Sequence, residues 1–355
     1  MDFNNTKEEF RLVKKNMLFY IFLVLVVSCK QLTDVKIEPD VITETTAYDA
    51  DDPAIWINRD DPSKSIVFGT DKDTNGSIYA FNLKGKILRD KTIENVRRPN
   101  NVDLRYDFRL NDSTVTDILV FTEREKKQIR IFSVPDMTPL DNGGIPVFAD
   151  ENNPGFSFPM GVSFYKSPKD QTFYVIVSRK EGPLTGYLYQ YRLAANDSVP
   201  GVTATFVRKF GNFSGKKEIE AIAVDDEMGY VYYSDEQHCI RKYHAEPSMG
   251  GTELACFGET TFTEDIEGIA IASFPGNKGY IIVSNQQKGT FNFFSRTTNE
   301  FVKELNLSTL ETDGCDIVTV PLDSTFSKGL FVAMNDARNF YFYNVDKLGI
   351  THDAK

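Results

Sequence analysis

The sequence has few of the residues on which zinc and thiol chemistry depend. Its 355 residues include three histidines and four cysteines, and no two cysteines form a CxxC pattern. Zinc sites are built from clustered Cys and His ligands, so a zinc centre is disfavoured. Beyond Cys29, three widely spaced cysteines remain, an odd number that gives no disulfide framework. We expect these three to be small buried residues: Cys239, Cys256 and Cys315.

The sequence also contains fewer basic residues than acidic residues. Lysine and arginine total 40 against 51 aspartates and glutamates, a formal net charge of −11. Nucleic-acid binding needs a positive surface that neutralises backbone phosphates, so no nucleic-acid partner is expected. A small phosphorylated substrate stays possible in principle, because local cations or metal ions can reverse the potential within one pocket. The sequence shows no Ser-His-Asp arrangement, P-loop or glycine-rich dinucleotide fingerprint.

One apolar run stands at the amino terminus. Lys14 and Lys15 precede the run from Met17 to Val27, which Ser28 and Cys29 follow. A basic flank, a short apolar core and a small residue before the cleavage point indicate a secretion signal, too short for a comfortable membrane span. The cysteine directly after the small residue is similar to a bacterial lipobox. The alternative is a plain signal peptide with a chance cysteine.

We therefore expect residues 1–28 to be a lipoprotein-type signal peptide and Cys29 to be the lipidated new terminus. Residues 29–34 would then be a linker, and residues 35–350 the folded domain. The protein is expected to be exported and lipid-anchored to a bacterial membrane, in the periplasm or at the cell surface, and otherwise to be secreted.

Aromatic residues, by contrast, are abundant, and they accompany a repeated strand pattern. The 28 Phe and 16 Tyr suit pleated, half-buried surfaces. A short apolar strand that ends abruptly in polar residues occurs six times. The copies are 65–72, 117–124, 173–180, 230–236, 279–285 and 329–335.

Each copy has a strand-like segment on either side. The preceding segments are 53–56, 102–105, 161–164, 219–223, 266–270 and 316–319. The following segments alternate with period two, which is typical of strands with one buried face; they are 77–82, 128–133, 187–192, 239–243, 290–294 and 339–343. A fourth, outer strand fits after most units, for example 202–210 and 301–307.

Six such units of about 50 residues predict an all-β fold, a six-bladed propeller with four-stranded antiparallel blades. After Tyr343 the chain is too short to supply a fourth strand for the last unit. We expect the segment 35–44 to pair with blade six, which closes the ring and removes an exposed edge. A pair of β-sandwiches is the competing architecture, and the six-fold regularity argues against it.

The fold predicts where chemistry can occur. The first strand of each blade lines the axis, and the second strand runs antiparallel to it, so starts of first strands and ends of second strands share one face. Polar residues at these strand ends could form a functional site around the axis. The alternative is that they simply belong to polar, solvated loops at the rim of the propeller. However, Glu220 and Glu267 stand inside strand-like segments, where a carboxylate is costly unless something compensates it.

Converging carboxylates repel one another unless cations lie among them. Oxygen-bound divalent ions solve this problem, and a flexible set of several carboxylates suits Ca²⁺ better than Mg²⁺. Basic residues lie among the acids: Lys72, Arg124, Arg179 and Lys180. They are either ion-pair partners of the acids or a clamp for phosphate. Together these features predict a site for a multiply charged phosphate ester.

At these residues the chain resembles the β-propeller phytases, the calcium-dependent alkaline phytases. The matching segments follow the family's order from about Asp49 to Asn339. They are Asp51-Asp-Pro-Ala-Ile-Trp56, Asn100-Asn-Val-Asp-Leu-Arg-Tyr-Asp-Phe108, Lys180-Glu-Gly182, Asp225-Asp-Glu227 with Gly229, Asp265-Ile-Glu-Gly268 and Thr312-Asp-Gly-Cys-Asp316.

The resemblance implies a phosphomonoester hydrolase of 3-phytase type that releases phosphate from myo-inositol hexakisphosphate with several Ca²⁺ ions. The residues expected to take part in catalysis are Lys72, Arg124, Lys180, Glu181, Glu220 and Glu267. The residues expected to bind substrate are Lys72, Arg124, Arg179, Lys180, Arg338 and Asn339. The residues expected to bind metal are Asp51, Asp52, Asp103, Glu181, Glu220, Glu236, Asp265, Glu267 and Asp316. The sequence departs from the family at Met160, where a tyrosine is usual, and in the turn after Lys72.

The implied mechanism is in-line attack of a calcium-activated water without a covalent intermediate. The expected partners are inositol phosphates, the only membrane contact is the lipid anchor, and the protein is expected to be a monomer. Two other functions remain open. A lactonase-like metal hydrolase would need one calcium and a neutral pocket, and a non-catalytic surface-binding propeller would not need the acidic ring.

Overall fold

The computed structural model describes residues 35–196 and 201–350. The predicted signal peptide, Cys29 and the linker up to residue 34 lie outside the described residues. Within these ranges, no helix is both long and apolar enough to cross a membrane. The helical segments described are short 3₁₀ turns: Pro62–Lys64, Arg89–Lys91, Arg124–Lys126, Pro154–Ser157, Pro247–Met249, Gln286–Lys288 and Val345–Leu348.

The described residues form 24 strands in six antiparallel sheets of four strands, so the prediction of a six-bladed, all-β propeller is confirmed. Blade 1 is β2 (Ala50–Trp56), β3 (Ile66–Asp71), β4 (Gly76–Asn82) and β5 (Ile93–Val96); blade 2 is β6 (Pro99–Arg109), β7 (Val115–Glu123), β8 (Gln128–Val134) and β9 (Ile145–Pro146). Blade 3 is β10 (Pro159–Lys166), β11 (Phe173–Arg179), β12 (Thr185–Ala195) and β13 (Val202–Asn212); blade 4 is β14 (Ile222–Asp225), β15 (Tyr230–Asp235), β16 (Cys239–His244) and β17 (Ala255–Phe257). Blade 5 is β18 (Ile266–Phe274), β19 (Lys278–Asn285), β20 (Thr290–Ser295) and β21 (Phe301–Leu305); blade 6 is β22 (Cys315–Val318), β23 (Leu330–Asn335) and β24 (Asn339–Asn344), completed by β1 (Val41–Ile42).

The ring closes through its first strand, as predicted. β1 pairs antiparallel with β24, with Val41 opposite Phe342 and Ile42 opposite Tyr341. Backbone bonds continue the pairing on both sides, from the amide of Asp40 to the carbonyl of Phe342 (2.8 Å) and from the amide of Thr43 to the carbonyl of Phe340 (3.0 Å). The first and last strands of the described residues thus lie in one sheet, which leaves β24 without an unpaired edge.

The hydrophobic core lies between neighbouring blades, and side-chain alternation along each strand decides which neighbour a residue meets. In β7, Ile118 and Val120 pack with residues of blade 3, whereas Leu119 and Phe121 pack with residues of blade 1. All four side chains are fully buried. Both faces of the middle strands are therefore apolar, because successive side chains point to opposite faces of a sheet.

The expectation that the cysteines form no disulfide is wrong. Cys239 and Cys256 are bonded to each other, and Cys315 is free and buried. The pair joins β16 to the outer strand β17, in which Cys256 lies opposite Arg241. Cysteine spacing did not reveal the bond because its geometry depends on the hairpin register, which brings the two Cα atoms within 5.7 Å.

The disulfide is expected to hold the three-residue strand β17 on blade 4. The bond closes a loop of sequence separation 17, and replacing both cysteines by alanine should lower the free energy of unfolding by about 3 kcal/mol. Urea unfolding followed by circular dichroism measures this change. A reducing agent should lower the unfolding midpoint of the wild type and leave that of the double variant unchanged. A wild-type midpoint insensitive to reduction would contradict the assignment.

Candidate metal and phosphate site

Irregular pairing at the starts of the inner strands aims polar side chains at the axis. The register between inner and second strand shifts in four blades: between Ala50 and Pro53, Pro99 and Val102, Pro159 and Val162, and Ile266 and Ile269. Each shift encloses residues singled out in the sequence, such as Asp51 and Glu267. Such bulges re-aim side chains and are common beside active sites.

In blade 4 the same effect appears as a later start of the inner strand. The segment 219–223 was expected to be the strand, but β14 begins at Ile222. Glu220 therefore precedes the ladder, and it is nonetheless buried. At this position its carboxylate can contact side chains from blades 1 and 2, across the axis.

Glycines let the inner strands come close to one another. A Cβ added at Gly161 would lie 1.8 Å from the carbonyl oxygen of Glu220, and one at Gly268 would lie 2.5 Å from that of Asp313. A Cβ at Gly314 would lie 2.4 Å from Oδ1 of Asp52. These glycines are required by close backbone approach, which brings the acidic residues of different blades within contact distance.

Lys72 is the centre of a first group of contacts. Its Nζ lies 3.2 Å from Oδ2 of Asp313, 3.3 Å from Oδ1 of Asp51 and 3.8 Å from Oε1 of Glu220. Asn100 donates from Nδ2 to Oδ2 of Asp51 (3.3 Å) and to Glu220. Blades 1, 2 and 4 are not all neighbours in the ring, so these contacts place the side chains at its axis.

Lys217 is the centre of a second group. Its Nζ lies 2.7 Å from Oδ2 of Asp265, 2.9 Å from Oε2 of Glu236 and 3.6 Å from Oε1 of Glu267. One carboxylate oxygen from each of these three acids lies within 4.8 Å of the others. The same holds for Glu236 with two further acids, Glu218 and Glu220, so Glu220 joins the two groups.

We call the combined set the axial cluster. Its cationic side chains include Lys180, which pairs with Glu218, and Arg124, which donates to Oδ1 of Asn100. Its members are the acids Asp51, Glu218, Glu220, Glu236, Asp265, Glu267 and Asp313, the cations Lys72, Arg124, Lys180 and Lys217, and Asn100. Seven carboxylates thus face four cationic groups, and negative charge exceeds positive charge.

The electrostatics of the cluster reflect that excess. Burial, together with the charge of Glu220 and Glu218, raises the pKa of Glu236 to about 8. Burial and neighbouring carboxylates also raise the pKa values of Glu267 and Asp51 well above the ordinary range. A carboxylate whose pKa rises in this way holds a proton unless a cation compensates its charge.

The basic members respond in opposite directions. Burial works against the charged form of Lys72, but the charges of Asp51 and Glu220 outweigh it and raise the pKa of Lys72 well above its usual value. Burial lowers the pKa of Arg124, and the charge of Glu220 offsets this only in part. Lys72 is therefore held as an ammonium by the acids around it, whereas no carboxylate within residues 35–196 and 201–350 forms an ion pair with Arg124.

The donor set fits a hard divalent cation. Among the described residues, Oε1 of Glu236 and Oε2 of Glu267 are buried without a hydrogen bond. Oε2 of Glu236 has the Lys217 ammonium as its partner, at 2.9 Å. Orphaned buried oxygens carry a desolvation cost that oxygen-seeking ions such as Ca²⁺ remove. The group of His238 with Cys239 and Cys256 is not a comparable site, because its two sulfurs are bonded to each other.

A second set of acids lies on the inner strands beside the central cavity. Asp52, Asp103 and Asp316 line this cavity together with Arg105. Oδ2 of each acid accepts a bond from a backbone amide of the next blade: Asp52 from Val102 (2.9 Å), Asp103 from Phe164 (2.7 Å) and Asp316 from Ile55 (2.8 Å).

These three carboxylates tie adjacent blades together, unlike the orphaned oxygens of Glu236. Burial nevertheless raises the pKa of Asp316 to about 7 and that of Asp52 well above its ordinary value. Their predicted role as metal ligands stays a prediction.

Some predicted residues are not brought into the axial cluster. The side chain of Arg179 is wholly buried, pairs with Glu151 (2.8 Å) and lies over the rings of Phe148 and Tyr189. These contacts hold the guanidinium beside blade 3 and away from the members of the axial cluster. The structure therefore gives no support to a substrate contact from Arg179.

Three other predicted residues also lie outside the axial cluster: Arg338, Asn339 and Glu181. Arg338 donates to the carbonyl of Ala47 (2.8 Å), and Asn339 accepts from Asn335 (3.2 Å). Glu181 is exposed. The position of the expected tyrosine is filled by Met160, whose side chain is buried and whose carbonyl accepts from Thr122 (2.8 Å). The predicted roles of Arg338, Asn339 and Glu181 stay predictions.

Several members of the cluster have no role predicted from the sequence: Asn100, Lys217, Glu218 and Asp313. Asp313 lies within the segment 312–316 that matched the family, and Asn100 lies within 100–108, so both were visible as motif residues. Lys217 and Glu218 come just before Ile219 in the loop after β13. No periodicity indicates where a loop side chain points, so these two could be found only from the structure.

Comparisons with known proteins agree with this geometry. The family described as Phytase matches residues 17–342. The 3-phytase of Bacillus subtilis (strain 168) is 33% identical over 303 residues, which cover 81% of this chain and 74% of that protein. The WD40 β-propeller domain of Doa1 shows 13% identity and a TM-score of 0.48, over 81% of this chain and 77% of that one, a likeness too distant to bear on function. The family match and the Bacillus relative extend over most of the sequence that builds the ring and its axial cluster: this chain belongs to the phytase family.

Proposed function

We propose that this protein is a calcium-dependent phosphomonoesterase that releases phosphate from myo-inositol hexakisphosphate by attack of water, without a covalent intermediate. Membership of the phytase family and the 3-phytase relative support the substrate class. The observation that carries the proposal is the set of unpaired buried oxygens of Glu236 and Glu267, in a cluster that also contains Lys72 and Arg124. Acids that need a divalent cation lie beside bases that suit a phosphate ester.

The proposed metal ligands are the acids of the axial cluster, chiefly Glu220, Glu236, Asp265 and Glu267. They come from loops and strand ends of blades 4 and 5, and such a many-oxygen set suits the flexible coordination of Ca²⁺ better than the strict octahedron of Mg²⁺. When bound, calcium would neutralise phosphate oxygens and lower the pKa of a water molecule.

The proposed phosphate-binding groups extend from the interior towards the rim. Lys72 and Arg124 are largely buried, whereas the side chain of Lys180 is 42% exposed. Nε of Arg124 is buried without a hydrogen-bond partner, so the guanidinium has bonding capacity left for a ligand. Cationic donors fixed in a partly dry site stabilise charge on the oxygens of the transferring phosphoryl group.

Water is the proposed nucleophile because the carboxylates of the axial cluster are assigned to the metal ions and no other nucleophilic side chain belongs to the cluster. Its members are carboxylates, an amide and cationic side chains, and none is a histidine, cysteine or serine.

A lactonase-like reaction would suit a neutral pocket better than one flanked by Lys72, Arg124 and Lys180. A non-catalytic propeller would not need buried acids with unpaired oxygens.

Export, lipidation of Cys29 and a monomeric state are also part of the proposal, on sequence grounds alone.

The first test replaces one proposed ligand. Glu267→Gln keeps the shape of the side chain and removes its charge, and it should lower phosphate release from inositol hexakisphosphate about 100-fold or more in saturating calcium. Glu264→Gln is the matched control, because Glu264 lies three residues before Glu267, ahead of β18, and is exposed. Phosphate release is measured with and without a calcium chelator. Full activity in Glu267→Gln, or wild-type activity that survives chelation, would refute the proposal.

The second test uses the raised pKa values. In the folded protein Glu236 titrates at about 8 instead of its ordinary 4.5. Between these values the folded state without calcium holds a proton that the unfolded state has released, so stability falls as the pH rises.

The melting temperature of calcium-free protein should therefore decline from about pH 5 to about pH 8. Saturating calcium should flatten the decline, since metal ions replace the protons. Differential scanning calorimetry across this range measures both profiles. A calcium-free melting temperature that rises between pH 5 and pH 8 would contradict the raised pKa of Glu236.

A further inference from the structure

Lys217 occupies the centre of the acids that fit a metal ion. Its ammonium contacts Glu236, Asp265 and Glu267, which are themselves 0%, 6% and 4% exposed. Two of these acids, Glu236 and Glu267, also keep buried oxygens without hydrogen bonds. The three carboxylates are thus arranged around one cationic group. Asp265 also accepts hydrogen bonds from Gln237 and Gln287, whereas Glu236 and Glu267 each keep an unpaired oxygen.

An ammonium and a divalent cation cannot share this position. Both would use the oxygens of Glu236, Asp265 and Glu267, and their like charges would repel at such distances. The three oxygens lie within 4.8 Å of one another, which leaves room for one cation between them. Occupation by one therefore excludes the other.

The surroundings of Lys217 allow it to leave. It lies on the loop between β13 (Val202–Asn212) and β14 (Ile222–Asp225), and its side chain is 34% exposed. The ammonium can move outward into water without removing apolar groups from the core. Lys216, next in the chain, is exposed and donates to the carbonyl of Gln237 (2.7 Å).

We propose that Lys217 is an internal counter-cation, which competes with the divalent cation for Glu236, Asp265 and Glu267 and so sets the concentration of free cation at which the site fills. The inference rests on the proposed function for the identity of that cation. Two consequences follow from competition. Without the lysine the cation should bind more tightly, because no ammonium has to be displaced. The cation-free protein should be less stable, because buried acids lose a partner.

The experiment compares Lys217→Met with Lys216→Met, which changes the net charge equally but lies outside the acids. Isothermal titration calorimetry of metal-stripped protein with CaCl₂ should show about tenfold tighter binding in Lys217→Met for one class of sites. Lys216→Met should bind as the wild type does. Without calcium, the melting temperature should fall in Lys217→Met and not in Lys216→Met; in saturating calcium all three proteins should melt together.

Several results would overturn the proposal. Calcium binding in Lys217→Met that equals or falls below that of the wild type would do so, as would equal shifts in the two lysine variants. Lys217→Arg retains the charge and should keep wild-type affinity, so an Arg variant that behaves like Lys217→Met would also count against it.

The outcome is distinguishable from failure of the proposed function. Wild type that binds calcium but releases no phosphate from inositol hexakisphosphate would refute the enzymatic proposal alone. Wild type that hydrolyses this substrate with unchanged calcium affinity in Lys217→Met would refute the counter-cation alone. Wild type that binds no calcium would refute both.

Discussion

The structure depends on buried carboxylates that converge at the axis of a ring with too little positive charge to balance them. Glu236 and Glu267 are buried with oxygens that lack hydrogen bonds, and the pKa of Glu236 rises to about 8. A fold can tolerate such groups when protons, internal cations or metal ions neutralise them. Lys72 and Lys217 supply part of that neutralisation from within the chain. The remainder is what a divalent cation can provide.

The propeller is well suited to hold groups in this state. Its apolar cores lie between blades, away from the axis, so the inner strands can carry polar residues without disrupting the packing. Bulges at the starts of the inner strands aim those residues inward, and Gly161 and Gly268 let the strands approach. Asp52, Asp103 and Asp316 bond the backbone of the next blade and hold the inner strands in place. These contacts between blades hold the like charges of the cluster close together.

The sequence predicts the ring well and the site in part. The repeated strands predict six blades, because period-two alternation and turn residues are local signals. The missing fourth strand of the last unit predicts that the first strand closes the ring. Glu220 was found because a carboxylate in a strand-like segment is unusual. Lys217 was missed because its position follows from a loop, and the Cys239–Cys256 bond was missed because it follows from hairpin register. For a similar reason the sequence does not show that Arg179 pairs with Glu151, and its role in substrate binding stays a prediction.

Anomalous diffraction from crystals grown in calcium would locate the cations. Peaks are expected among the acids of the axial cluster, about 2.3–2.6 Å from oxygens of Glu236 and Glu267, with the ammonium of Lys217 moved away from them. Saturating calcium that leaves no peak there, with Lys217 still between Glu236 and Asp265, would contradict this expectation.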